Sequence, residues 1–380
     1  MSALGPLPCR HSFGSAVDAL TGACRVRGTS HILSLFGALG LCVAALAFAL
    51  AGPGPAFAEQ LPWHVAPVLP APLPPAAPAA PAVPGVPAWL QAHIGDGDGQ
   101  ISAVVLRRAR AFHQKKVQAG AISNPCYFAF DATRPGDGGH RFYVICEPSQ
   151  TFRAITSTHG NGRALEGIAD FSNNARCAKN FSNAQSSRLT TGGGYVTAEI
   201  RTSFKGYYRA DGTYQPLVRS FLQFEGEGDT ANARVRAIGG HPAVVVRWMC
   251  RMKVPGSPYA SKDGYVPYGK LVDYSNGRSS GCTSWPQADA DVILAIAKKK
   301  PTTVYVYPEA SDIVAVGRAV RAGQSPSRAG LYWNAACLNE IGEPNFWPRE
   351  KLEPVLSRDK KRNPSTRQRT LNDLPICKSS

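Results

Sequence analysis

The chain has 380 residues, 44% of them hydrophobic, and a formal net charge of +16. That length supports one substantial domain with its own core, and a basic excess of this size suits an anionic polymer such as an acidic glycan or a lipid headgroup surface. No phosphate-binding loop, dinucleotide fingerprint or zinc-ligand spacing of the usual kinds occurs, so nothing in the sequence calls for a cofactor or a metal.

The N-terminal region carries Arg25 and Arg27, then an apolar run from Ile32 to Ala51, then Ala56-Phe57-Ala58 before Glu59. Basic flank, apolar stretch and small-x-small site are the parts of an export signal, so residues 1–58 are expected to be removed after Ala58. Left uncleaved, the run is long enough to anchor the chain in a bilayer, the one route to a membrane that the sequence offers. Export places the rest in an oxidising periplasmic or envelope space, where nucleic acid is not the expected partner. The charge falls only to +14 without residues 1–58, and much of the excess sits between Arg349 and Arg369.

Residues 59–94 read as a linker. Leu61 to Pro87 holds ten prolines and no Asp, Glu, Lys or Arg, a composition that favours polyproline II and gives a semi-rigid spacer of roughly 80 Å at about 3.1 Å per residue. From 95 to about 310, apolar segments alternate with glycine-rich turns. Ile101, Val104, Val105, Arg108 and Phe112 have helical spacing, with Gly120 as a stop. Asp96-x-Asp98-Gly99-x-Ile101 imitates the middle of a calcium loop, but Ile94 and Val105 stand where the first and twelfth ligands belong, so it reads as a polar turn capping the helix from Ile101.

Six runs rich in β-branched and aromatic residues predict strands: 141–146, 151–157, 195–202, 221–224, 243–254 and 302–307. A second helix is expected from about Ala288 to Lys299, with Asp289 and Asp291 in its first turn and Lys298–Lys300 before Pro301. The fold class is therefore mainly β with a few peripheral helices. Residues 311–380 read as a basic C-terminal extension.

The chemistry concentrates in Gly277-Arg278-Ser279-Ser280-Gly281-Cys282-Thr283, with His241 the nearest upstream histidine. A thiolate is the reactive form of cysteine, and a neighbouring imidazole populates it at neutral pH. Gly281, without a side chain, lets a substrate carbonyl approach the backbone N–H groups of Gly281 and Cys282 as an oxyanion hole. Gly277-x-Ser279-x-Gly281 also fits the serine-hydrolase elbow. In that fold the histidine follows the serine, and no histidine follows Ser279. Removing the leader leaves seven cysteines, at 126, 146, 177, 250, 282, 337 and 377. Six can form three bridges in any of fifteen connectivities, and Cys282 is the candidate for the one left over.

In order along most of residues 140–308, the chain resembles the murein L,D-transpeptidase catalytic domain, the YkuD-like cysteine transpeptidases. The likeness is carried by Thr158-His159-Gly160, Phe171-Ser172-Asn173, Ser186-Ser187, Gly194-Tyr195-x-Thr197, Asn232-Ala233-x-x-Arg236-x-Ile238-x-x-His241, Gly277-Arg278-Ser279-x-Gly281-Cys282 and Val304-Tyr305-x-Tyr307. The resemblance implies an L,D-transpeptidase-like β-rich fold over 95–310. It implies that His241 takes the thiol proton and that Cys282 attacks the carbonyl preceding the terminal D-Ala of a peptidoglycan stem tetrapeptide. Arg278 is a carboxylate-clamp candidate, His159 a pocket-wall residue, and Ser279, Ser280, Tyr274 and Asn276 candidate substrate-binding or ring-orienting groups. An L,D-endopeptidase or carboxypeptidase on the same site, and a non-catalytic wall-binding protein with Cys282 in a disulfide, are the alternatives.

The chain departs from the family between His241 and Cys282, 41 positions apart, where residues 242–277 read as an inserted lid or rim loop stapled through Cys250. Thr283-Ser284-Trp285 replaces the residues the family usually has after its cysteine.

Overall fold

The computed structural model describes residues 83–364 and 370–378; the expected leader and most of the expected linker lie outside the described residues. The protein is mainly β, built on one ten-stranded mixed sheet. Its strands are β1 Cys126–Asp131, β2 His140–Cys146, β3 Thr151–Thr156, β4 Gly193–Ala210, β5 Thr213–Gly226, β6 Gly239–Pro242, β7 Val244–Lys253, β8 Tyr265–Asp273, β9 Thr283–Trp285 and β10 Thr303–Tyr307. The spatial order is β9-β6-β5-β4-β10-β1-β2-β3, and β8 branches from β4 to pair with β7.

Strand alternation divides the core into two layers. Phe128, Phe130, Phe142 and Val144 face one side, where they pack with Trp285 of β9 and with Ile293 and Ala297 of helix α2 (Gln287–Lys299). Tyr127, Ala129, Tyr143 and Ile145 face the other, against Val105, Leu106 and Ala109 of an earlier helix, α1 (Ala103–Gln118). Arg141, fully buried, donates to the carbonyls of Ser157 and Arg134, and burial pushes its pKa down to about 10.

The cap of α1 differs from the expected one. Ser102 Oγ accepts from the Val105 amide at 3.2 Å, while Ile101 is buried and bridges Ile94. Asp98 is spent on His140, whose amide donates to it at 2.8 Å and whose Nδ1 lies 2.7 Å away.

The structure adds to three further expectations. The strands expected at 195–202 and 221–224 are two arms of one long hairpin, β4–β5, closed at Asp211-Gly212 with φ of 48° and 79°; both residues adopt the left-handed conformation that suits a tight two-residue hairpin. The segment expected as a lid or rim loop contains a second hairpin, β7–β8, whose Tyr268 pairs with Tyr207 of β4. Cys250 does staple it, to Cys377. The expected C-terminal extension contributes α3 (Ala310–Arg321), α4 (Ala335–Ile341) and α5 (Arg349–Arg362). Leu352 and Leu356 of α5 are buried with Phe171 and Leu189, Arg163 pairs with Asp359 at 2.8 Å, and Cys337 is bonded to Cys177. Among the described residues no helix is long and apolar enough to cross a membrane.

Candidate active site

The segment 274–285 threads between two short strands, and this sets the site. On one side, the Arg278–Ser279 strand pairs in parallel with His159–Gly160, Arg278 opposite His159. On the other, β9 pairs in parallel with β6, Thr283 opposite Gly240 and Ser284 opposite His241. Cys282 immediately precedes β9, whose Ser284 lies opposite His241. Phe221 of β5 ties the two together: it packs on Cys282, and its ring lies 6.0 Å from the His241 ring, centroid to centroid. The histidine and the cysteine, 41 positions apart, thus share Phe221 as a neighbour.

Gly281 has φ of 105°, a conformation that disfavours any side chain. A Cβ there would stand 2.8 Å from the Leu189 carbonyl oxygen. The glycine therefore serves a close approach of protein backbone. The Gly281 amide also donates to Ser279 Oγ at 3.2 Å, while that hydroxyl donates to the Cys282 carbonyl at 2.5 Å. Ser279 is thus the clasp of the turn, and the Gly281 N–H that an oxyanion hole would use is engaged by it.

Cys282 is 1% exposed, with Sγ 3.5 Å from the Ala237 carbonyl oxygen. The six other described cysteines pair among themselves, 126–146, 177–337 and 250–377. Cys282 is disulfide-bonded as well, to none of those six.

His241 is fully buried. Its Nδ1 lies 2.7 Å from Arg219 Nη2, 3.0 Å from the Pro242 carbonyl oxygen and 3.4 Å from the Tyr274 hydroxyl. Arg219 was not anticipated from the sequence. Its signal is alternation: Arg219, Phe221 and Gln223 are successive inward positions of β5, all buried. Tyr274, expected to line the cleft, does reach this cluster, and burial raises its pKa.

The other predicted residues divide. His159 is fully buried, accepts at Nδ1 from Arg141 at 2.7 Å and donates from Nε2 to the Asn174 carbonyl at 3.0 Å. Burial first, and the adjacent Arg141 cation second, hold it neutral, well below its ordinary pKa. Both its nitrogens are engaged, which suits a wall residue. Arg278 is exposed and donates to the Asn173 carbonyl. Ser280 is half-buried, and Asn276 stands exposed on the turn before Gly277. Two clefts of about 430 and 570 Å³ are lined by residues such as Arg108, Tyr307, Asp312, Phe112 and Glu309, and by none of the predicted site residues. Comparison with protein-family models, with curated proteins and with solved structures found no match to this chain.

Proposed function

We propose that this chain is a cysteine acyltransferase of the L,D-transpeptidase type, with an L,D-transpeptidase-like fold, acting on peptidoglycan stem tetrapeptides in the cell envelope. The observation that carries the reading is Phe221, which packs on Cys282 while its ring lies 6.0 Å from that of His241, on a strand paired with the one that follows Cys282. In the reaction His241 takes the thiol proton, and Sγ adds to the carbonyl preceding D-Ala. The C–N bond then breaks as the proton passes to the departing D-Ala amine, leaving a thioester. An amine from a second stem attacks the thioester, the C–S bond breaks, and a 3→3 cross-link forms. Water in place of the amine gives the hydrolytic outcome.

The reading requires Cys282 as a thiol that substrate can reach. The chain's other three cysteines, Cys9, Cys24 and Cys42, all precede Ala58; reduction of the bond gives that form, and removal of residues 1–58 before any bond forms leaves Cys282 with no cysteine outside the three pairs. One observation favours a second reading. The disulfide at Cys282 fits a non-catalytic wall-binding protein if the bond persists in the exported chain, its basic surface then meeting anionic envelope polymers.

Release of D-Ala from a synthetic stem tetrapeptide separates the two. The acyltransferase reading predicts release by the exported chain and none by Cys282→Ala, with His241→Ala folded but slower by at least ~10²-fold, the lower end for a lost general base. Absence of release from a chain shown to carry a reduced Cys282 rejects it.

A further inference from the structure

Arg219 is 6% exposed, yet none of its hydrogen-bond partners is a carboxylate. Nη1 donates to Ser203 Oγ at 2.9 Å, Nη2 to His241 Nδ1 at 2.7 Å and to the Tyr274 hydroxyl at 3.3 Å, and Nε is buried with no hydrogen-bond partner. Burying a cation without a counter-charge is costly, and native proteins pair such groups. The contrast inside this molecule is direct: Arg134, 3% exposed, has the Asp131 carboxylate at 3.2 Å. Among the described residues Arg219 has no such ion pair.

The same arginine fixes the state of His241. A guanidinium donates only, so in this arrangement His241 Nδ1 accepts and the ring proton of the neutral imidazole resides on Nε2. The Pro242 carbonyl, 3.0 Å from the same Nδ1, also only accepts, and can be satisfied only when Nδ1 carries the proton. The two neighbours select opposite tautomers, and one nitrogen cannot serve both.

We infer that Arg219 is the binding residue for a peptide carboxylate, and that carboxylate binding switches His241 from its Nε2–H to its Nδ1–H tautomer. A carboxylate meeting Nε and Nη2 of Arg219 in the two-pronged fashion that suits guanidinium draws Nη2 from the ring. The proton then moves to Nδ1, donates to Pro242 O, and leaves Nε2 a lone pair. No bond other than N–H is made or broken and no net charge moves. Under the function proposed above, on which this inference rests for its biological meaning, the carboxylate is that of the terminal D-Ala, and the base is readied only when donor peptide is bound. Arg219 is then an anion-binding and positioning residue.

The test is carried out on the full chain bearing Cys282→Ala, so that binding is read without acyl transfer. Nitrogen NMR of the His241 ring reports the tautomer, and calorimetry the affinity, with three probes: Nα-acetyl-L-Lys-D-Ala, its C-terminal amide, and acetate. The expected result is an Nε2–H ring without ligand and an Nδ1–H ring at saturation with the acid. The amide should bind at least ~10-fold more weakly and leave the ring unchanged. Acetate alone producing the switch assigns recognition to the carboxylate itself; a switch with the dipeptide only assigns it to the D-Ala terminus. Arg219→Met should show Nδ1–H throughout and equal affinity for acid and amide, and Arg219→Lys, the charge-conserving variant, should keep a reduced preference. Equal binding of acid and amide by the Arg219 protein, or an unchanged tautomer at saturation, overturns the inference. Either can be read whether or not D-Ala release is ever observed.

Discussion

Replacing Ser279 by Ala should loosen the turn that carries Cys282, and the structure sets the size of the effect. One hydroxyl serves two main-chain groups, accepting from the Gly281 amide at 3.2 Å and donating to the Cys282 carbonyl at 2.5 Å, at a site 4% exposed. A buried polar group that loses its partner costs about 1–3 kcal/mol. With two groups orphaned and some relaxation, the expected loss is about 2–4 kcal/mol, a factor of roughly 30 to 1,000 in the folding constant. Urea unfolding with the disulfides intact, followed by tryptophan fluorescence, measures it. Ser275, whose hydroxyl bonds the exposed Asp273, is the control, and Ser275→Ala should stay within about 0.5 kcal/mol of the parent. A Ser279→Ala loss no larger than the control's would refute the clasp.

Gly281→Ala meets both a φ of 105° and a Leu189 carbonyl 2.8 Å from the new Cβ; it should cost about 1–3 kcal/mol by the same assay. The Cys177–Cys337 bond closes 160 residues and Cys126–Cys146 closes 20. On loop entropy alone, paired Cys→Ser replacement of the first should cost about 2 kcal/mol more than that of the second, and calorimetric unfolding showing the reverse order would contradict that account. His159 has a folded pKa depressed below its unfolded value of about 6.5. The unfolded state therefore binds the extra proton first, and the stability held above that pH is lost as pH falls through it. Unfolding free energy measured from pH 7.5 to 5 should decline, and His159→Asn should flatten the decline.

The fold class was legible because strands with one buried face print alternation into the sequence. The runs at 141–146 and 302–307 fall within one residue of β2 and β10. The helix at α2 was legible from its charges and from Pro301. What escaped was governed by partners distant in sequence. The exposed middle of the β4–β5 hairpin lacks apolar alternation, although Asp211-Gly212 was a turn signal in plain view. The run at 243–254 matches β7, but its partner β8 escaped because glycines and prolines outweighed Val266 and Tyr268, which are buried against β4 and its neighbours. Helix α5 looks basic in composition, and its Leu352 and Leu356 gain meaning only against Phe171 and Leu189; Ile313 and Val316 of α3 and Ile341 of α4 gain theirs against the main core. At the site, residue types and order pointed to His241 and Cys282, but no spacing rule announces Arg219. Its relation to His241 is made by the antiparallel pairing of β5 with β6 and exists only in three dimensions.

The most direct measurement of the central claim is the intact mass of the exported chain after exposure to a stem tetrapeptide or a carbapenem, as isolated and after mild reduction, beside Cys282→Ala. The account predicts an acyl adduct in the parent chain wherever Cys282 is reduced, mapping to the peptide that contains Cys282, and none in the variant. An unmodified mass from a folded chain with a reduced Cys282, or the same adduct in Cys282→Ala, would contradict it.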